Sequence, residues 1–287
     1  MNDSQKKEIQ MLLKTFIEQY SSQAKAVNAL KNVSEATVIN IRKGDWESIS
    51  DDMWRNVGKQ VGFNNKVKWQ FVPTQAASLQ IDLLDDARIY GNVYAITVNA
   101  GSGKTFVGEY FEQKRNNVYL ISCSEYMNRK TFLQTILEKI GKSSAGLNVP
   151  EMMELIIETS LKKENPVLIL DEFDKVSDSI LYFFITLYNK LEGNMGIVMM
   201  ATSHLQKRIN SGRRKNKKGY AEIFSRIGRK FIELPPATEK EVFEIARANG
   251  INDPQYLHSI YNECEGDLRR AKRSIHKYSM KVMKKAA

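Results

Sequence analysis

The chain has 287 residues, 42% of them hydrophobic, and a formal net charge of +10 with a pI near 9.4. That length holds one large α/β unit and smaller ones beside it, and that charge points toward a polyanionic partner rather than a small metabolite. Apolar runs stop well short of the ~18 residues that span a bilayer. Met1-Asn2-Asp3-Ser4 opens without a signal-peptide core, so no membrane association and a cytoplasmic location are expected. Cys123 and Cys264 are too few and too far apart for a disulfide framework or metal site, and reduced, half-buried thiols are expected.

Ile9, Leu12, Leu13, Phe16, Ile17 and Tyr20 recur at helical spacing, which predicts a helix over 4–20 with one buried stripe. A short helix from Ser22 to Leu30 follows, then a turn at Lys31-Asn32-Val33. A third helix starts at the N-cap Ser34 and stops at Gly44 after Lys43. Two short helices joined by a tight turn have the dimensions of a helix-turn-helix, the second presenting Glu35, Thr37, Asn40, Arg42 and Lys43 to duplex DNA. Gln23-Ala24-Lys25-Ala26 and Val33-Ser34 resemble lambda-repressor-type domains. Ile49, Met53, Trp54, Val57 and Val61 would supply closing helices between Asp45 and Gly62, making 1–66 an all-α unit. A small bundle that binds protein, or nothing, is the alternative. Residues 67–78 mix Trp69, Phe71 and Pro73 with polar side chains and read as a linker of the kind that lies along a nucleotide pocket.

Leu79 to Ile89 reads as a helix ending at Gly91, and Val93-Tyr94-Ala95-Ile96-Thr97 as a strand. Then comes Val98-Asn99-Ala100-Gly101-Ser102-Gly103-Lys104-Thr105, ahead of a helix from Phe106 to about Lys114. Strand, glycine loop and helix form the setting of a phosphate cradle. Gly101 and Gly103 permit the tight turn that converges backbone N–H groups, Lys104 would reach the β- and γ-phosphates, and Thr105 would hold Mg²⁺. Residues 99–106 are therefore expected to contact ATP. The first glycine of the G-x-x-x-x-G-K-[ST] pattern is Val98 here.

Val118–Ser122 is a second strand, with amphipathic helices at Asn128–Gly141 and Pro150–Lys163. Val167-Leu168-Ile169-Leu170-Asp171-Glu172 is a buried strand that delivers two acids at its carboxyl edge, where open α/β sheets bind ligands. Asp171 would join Thr105 on Mg²⁺, and Glu172 would polarise the attacking water. Asp178–Leu191 is an apolar helix and Gly196–Ala201 the next strand, followed by Thr202 and Ser203, either of which could orient that water or touch the γ-phosphate. His204 lacks a partner at metal-ligand spacing.

Lys207, Arg208, Arg213, Arg214, Lys215, Lys217 and Lys218 follow without an acid between them, in a segment read as an exposed, DNA-contacting loop. A strand from Lys230 to Leu234 and the Pro235-Pro236 boundary end a core at 79–236. The remainder, 237–287, reads as a helical lid: Thr238 and Glu241 form a capping box, and helices are expected at 254–264 and from Asp267 to about Lys284. After Asp267 the tail carries Arg269, Arg270, Lys272, Arg273, Lys277, Lys281, Lys284 and Lys285. Two arginines in a first helical turn oppose the helix dipole, a cost that a phosphate partner would relieve.

With the phosphate loop, Asp171-Glu172, a polar residue ending the next strand, Ser225-Arg226 before the last strand and Gly266-Asp267-Leu268-Arg269 in the lid, residues 75–287 resemble the AAA+ ATPases. The resemblance implies an AAA+ P-loop core, with Thr202 or Ser203 as first sensor and Arg269 as second. It makes Arg226, with Arg229 as rival, an arginine finger for a neighbouring subunit, and so implies a homo-oligomer, filament or ring. A repressor-like domain ahead of a compact ATPase is similar to the target-selection ATPases of phage Mu and related transposons, whose partners are duplex DNA and a transposase. A helicase loader or replication initiator, or a transcriptional regulator switched by ATP, are the alternatives.

Overall fold

The structure, a computed structural model, describes residues 1, 3–18, 20, 22–63 and 69–286, with the side chains at 4 and 282–286 outside that description. The expected boundary at 66/67 and the side chains of Lys284 and Lys285 fall outside the described residues. Two compact units are present, Met1–Trp69 and Gln70–Ala287.

The first unit consists of α1 (Asp3–Glu18), α2 (Gln23–Ala29), α3 (Glu35–Lys43) and α4 (Asp51–Gln60). Ser22, Ser34 and Ser50 cap the last three, each accepting the backbone N–H three residues on; such a cap contributes roughly 1 kcal/mol. Gly44 ends α3 in the left-handed region at φ +85°, as its place after Lys43 suggested. Ile9, Leu13, Val38, Ile41, Trp54 and Val57 form a fully enclosed core, with Trp46 edge-on to Trp54 at 5.6 Å. Among the described residues of this unit, one helix, not several, follows Gly44. Helix formation waits for Ser50, where the cap is followed by Asp51 and Asp52 at the dipole's positive end.

In the second unit come α5 (Gln75–Tyr90), β1 (Val93–Thr97), α6 (Lys104–Lys114), β2 (Val118–Ser122), α7 (Arg129–Lys139), α8 (Val149–Leu161) and β3 (Val167–Asp171). A single 3₁₀ turn, Phe173–Lys175, leads to α9 (Asp178–Leu191), β4 (Gly196–Ala201), α10 (Ser203–Arg214), α11 (Tyr220–Arg226) and β5 (Ile232–Glu233). The chain then runs through α12 (Glu239–Ala248), α13 (Pro254–Cys264) and α14 (Leu268–Ala286). All strand pairs are parallel, in the order β2-β3-β4-β1-β5. One face is covered by a core that includes Phe132, Ile136, Ile156, Phe184 and Leu187, the other by Leu84, Phe111 and Ala76. Parallel pairing sends the carboxyl ends of β1, β3 and β4 to one edge, so residues 98–103, Asp171 and Thr202 meet there.

Three expectations need correction. The helix before β1 begins at Gln75, because the Thr74 hydroxyl accepts the Ala77 N–H as an N-cap, so the extended segment ends four residues earlier than Leu79. The strand expected over 230–234 pairs only at Ile232 and Glu233. The basic segment from Lys207 is not a loop: α10 carries it as helix to Arg214. Its Gly212 faces the buried Tyr220 ring, where an added Cβ would lie 2.2 Å from Cδ1. Tertiary contact here overrides the weak helix propensity of Asn210-Ser211-Gly212.

Gly196 opens β4 beneath α5, and a Cβ there would stand 2.2 Å from the Ala87 carbonyl oxygen. Backbone gives way less than a side-chain tip does. Gly196→Ala is expected to lower stability by about 1–3 kcal/mol, read as a shift of the denaturation midpoint with an unchanged slope.

Candidate phosphate-binding and hydrolytic site

The loop after β1 has the backbone that a phosphate cradle requires. Gly101 and Gly103 sit at φ +85° and +87°, and α6 starts from Gly103 with no side-chain cap on its first N–H groups. The Ser102 hydroxyl is buried without a partner; a bound phosphate would supply the missing acceptor. Val98, in place of the pattern's first glycine, is 8% exposed and extends the sheet by donating its N–H to the Ala201 carbonyl at 3.1 Å. Lys104 is largely buried. A residue that sequence reasoning missed steadies it: the enclosed Gln80 amide of α5 donates to the Lys104 carbonyl at 2.9 Å.

At the end of β3, Asp171 is 1% exposed. Its Oδ2 accepts the Thr105 hydroxyl at 2.6 Å and its Oδ1 accepts the Glu172 N–H at 2.9 Å. A hydroxyl and a carboxylate side by side at a phosphate loop are the donor set that Mg²⁺ takes alongside substrate phosphates, so these residues fit that ion. Among the described residues, no cluster of three or more His, Cys, Asp or Glu could hold a metal by itself. Glu172 stands at φ +55°, a left-handed conformation uncommon outside glycine and found where function constrains the chain. Its carboxylate pairs with Lys175 at 2.7 Å. Thr202 caps α10 and donates its hydroxyl to Asp174 Oδ2 at 2.6 Å, whereas Ser203 is exposed. Asp174, unmarked in the sequence, thus joins the group.

Asp174 also touches the basic helix. Arg208 donates to the carbonyls of Asp174 at 3.4 Å and Val176 at 2.6 Å, and pairs with Asp178. Burial alone would raise Asp178, but the Tyr220 hydroxyl and Arg208 hold its carboxyl below the usual range. Arg208 therefore serves the core, not a surface. Arg213 stacks over Phe224 at 3.6 Å and Lys217 lies 3.9 Å from Asp178. Lys207, Arg214, Lys215 and Lys218 are exposed.

The lid meets the loop directly. Leu268 donates its N–H to the Gly101 carbonyl at 2.8 Å, and a Cβ on Gly101 would collide with the Asp267 carboxylate. Asp267 accepts the N–H groups of Arg269 and Arg270, and Arg270 pairs with Glu265. Asp267 and Glu265 thus offset within the chain part of the cost expected of two arginines in that first turn. Arg269 keeps an exposed side chain.

Arg226 rests over the Tyr188 ring at 4.8 Å and pairs with Glu222 at 3.3 Å, while Arg229 is exposed at φ +58°. Phe106 neighbours Phe71, which stacks on Tyr110 at 4.1 Å. In the first unit, Thr37 shares a hydrogen bond with Ser34 and Asn40 donates to Ser48. Arg42 is exposed beside Gln23, and Lys43 is exposed too.

Residues 88–209, which take in the glycine loop, both acids and Thr202, match the family model described as an AAA domain. No curated protein matches the chain. Among solved structures it is similar to the Thermotoga maritima RuvB Holliday junction branch migration motor, 16% identical over 72% of this chain and 63% of that one, with a TM-score of 0.47. It is also similar to NtrX from Brucella abortus in complex with ATP, 12% identical over 85% of this chain and 64% of that one, with a TM-score of 0.48. The chain spans less than two thirds of the length of either structure. The expected parallel sheet flanked by helices is present. No helix among the described residues is long and apolar enough to cross a membrane.

Both thiols are free and buried rather than half-buried. Cys123 lies behind the acids, and burial, followed by the charges of Asp171, Glu172 and Asp174, pushes its pKa up to about 12. The neutral thiol then prevails throughout the ordinary working range. At pH 8, alkylation of the Cys123 peptide in the folded protein is expected to run at least about 100-fold slower than in the denatured chain, as followed by mass spectrometry.

Proposed function

We propose that this chain binds and hydrolyses ATP, and that its ATP-bound copies assemble on duplex DNA with little sequence preference to deliver or activate a transposase. The observation that carries the enzymatic part is the convergence of the glycine loop, Thr105, Asp171 and Glu172 at one sheet edge. Backbone N–H groups of residues 99–106 and the Lys104 ammonium bind the phosphates. Thr105 and Asp171 would hold Mg²⁺, which when bound would supply neutralising charge to the phosphate oxygens. Glu172 polarises the attacking water once its carboxylate leaves Lys175, and Thr202 or Ser203 assists it. Arg269 approaches from the lid and Arg226 from a neighbouring copy, which would place ATP between subunits and link assembly to nucleotide state.

The DNA part rests on charge. Lys207, Arg214, Lys215 and Lys218 present ammonium and guanidinium groups on and just after α10, and such groups bind phosphodiester backbones without reading bases. The transposase and the base-contacting role of Thr37, Asn40, Arg42 and Lys43 rest on the sequence resemblance.

Lys104→Ala is expected to abolish ATP binding and ATP-dependent assembly on DNA, measured by equilibrium titration and by imaging with a slowly hydrolysed analogue. Glu172→Gln should keep binding and lose at least about 100-fold in turnover. Neutralising Lys207, Arg214, Lys215 and Lys218 together should weaken binding to all duplexes alike and flatten the salt dependence. Loss on a single operator-like sequence would instead favour a transcriptional regulator.

A further inference from the structure

A serine or threonine hydroxyl has one proton to donate and two lone pairs to offer. At the end of β4 the Thr202 proton is committed: Oγ1 donates to Asp174 Oδ2 at 2.6 Å. One lone pair is also used, accepting the His204 N–H at 3.3 Å. What remains on Oγ1 is an acceptor. γ-Phosphate oxygens are acceptors as well, so Thr202 in this state has no proton for them; a water molecule, which donates, is its natural partner. A water donating to Thr202 and to Glu172 would have both protons held and its lone pair free to attack phosphorus.

Asp174 is itself fixed. It lies on the 3₁₀ turn two residues beyond Glu172, and Arg208 of α10 clamps the turn by donating to the carbonyls of Asp174 and Val176. The second guanidinium nitrogen of Arg208 pairs with Asp178, which also accepts the Tyr220 hydroxyl at 2.7 Å. Four elements therefore hold one carboxylate against one hydroxyl.

We infer that Asp174 is a positioning residue for ATP hydrolysis: by accepting the hydrogen bond of the Thr202 hydroxyl it leaves that side chain an acceptor for the attacking water rather than a donor to the γ-phosphate. This rests on the proposed ATPase reading and deepens it, separating two roles for Thr202 that the sequence alone leaves open. Ser203, exposed next to it, does not share the arrangement.

The test compares Asp174→Ala, Asp174→Asn and Thr202→Val in the full chain, with steady-state ATP hydrolysis and equilibrium binding of ATP and ADP as readouts. Asp174→Ala should lower kcat about tenfold or more while KM stays within about twofold, because misorientation of a reacting group costs rate, not ground-state affinity. Asp174→Asn should recover most of kcat, since the amide oxygen still accepts the hydroxyl proton. Thr202→Val keeps the side-chain shape without the hydroxyl; it should reproduce the kcat loss, leave the ratio of ATP to ADP affinity unchanged, and add nothing further in combination with Asp174→Ala. Thr202→Val weakening ATP selectively over ADP would make Thr202 a γ-phosphate contact and overturn the assignment. Wild-type turnover that Asp174→Ala leaves intact, or losses that multiply in the double variant, would also overturn it. A wild-type chain that binds but does not hydrolyse ATP would instead bring down the enzymatic reading, and the role of Asp174 with it.

Discussion

The bond between the Thr105 hydroxyl and the Asp171 carboxylate, 2.6 Å long, joins the first turn of α6 to the tip of β3, although β1, which leads into α6, and β3 are not neighbours in the sheet. β4 lies between β1 and β3, so α6 must approach closely over it. Gly108 faces that approach, where an added methyl group would make ordinary contact with the Met200 and Leu120 side chains at 3.4 Å. Gln80 reinforces the same place, donating both to Met200 Sδ and to the Lys104 carbonyl. The site is thus a consequence of packing as much as of motif: α5 and α6 are seated against β4 so that the Thr105 hydroxyl and the Asp171 carboxylate stand one hydrogen bond apart.

From Asp171 the consequences run along a single short stretch. Residues 171–178 supply a carboxylate for the phosphate side, an acid in a left-handed backbone, the partner of Thr202, and the anchor of Arg208. Because Asp178 is held below the usual carboxylate range, the stability it contributes is complete above the ordinary aspartate pKa and fades as pH falls through the lower folded value. The bracing of α10 against the 3₁₀ turn is accordingly an acid-sensitive joint and not a neutral-pH switch.

How much of this was legible follows from where each signal lives. β1 through β4 appear where the apolar runs place them, because buried parallel strands read as uninterrupted hydrophobic stretches ended by turn residues. Caps at Ser34, Gly44 and Thr238 were equally plain, each being a local bargain between one side chain and nearby backbone. The basic helix was not, since Asn210-Ser211-Gly212-Arg213-Arg214 has neither apolar period nor propensity, and its helicity depends on Tyr220 and Asp178 beyond the segment. Asp174 and Gln80 were invisible for a related reason: a lone polar residue in a patterned stretch acquires meaning only from a partner distant in sequence. Arg269 and Arg270 carry a signal that composition alone overstates, because Asp267 and Glu265 stand close before them in the chain and offset part of their charge.

Residues 70–75 hold more than their composition suggests. The Gln70 N–H is bound by Asn249 at 3.0 Å, the Gln75 N–H by Glu241 at 2.5 Å, and Phe71 lies flat against Tyr110. Two of these fastenings reach the lid and one reaches the helix behind the phosphate loop. Anyone trimming the gene to the second unit alone should therefore cut upstream of Gln70. A product starting at Leu79 would lack the Thr74 cap and the first turn of α5, both fastenings to α12 and its C-cap, and the Phe71 ring that lies on Tyr110.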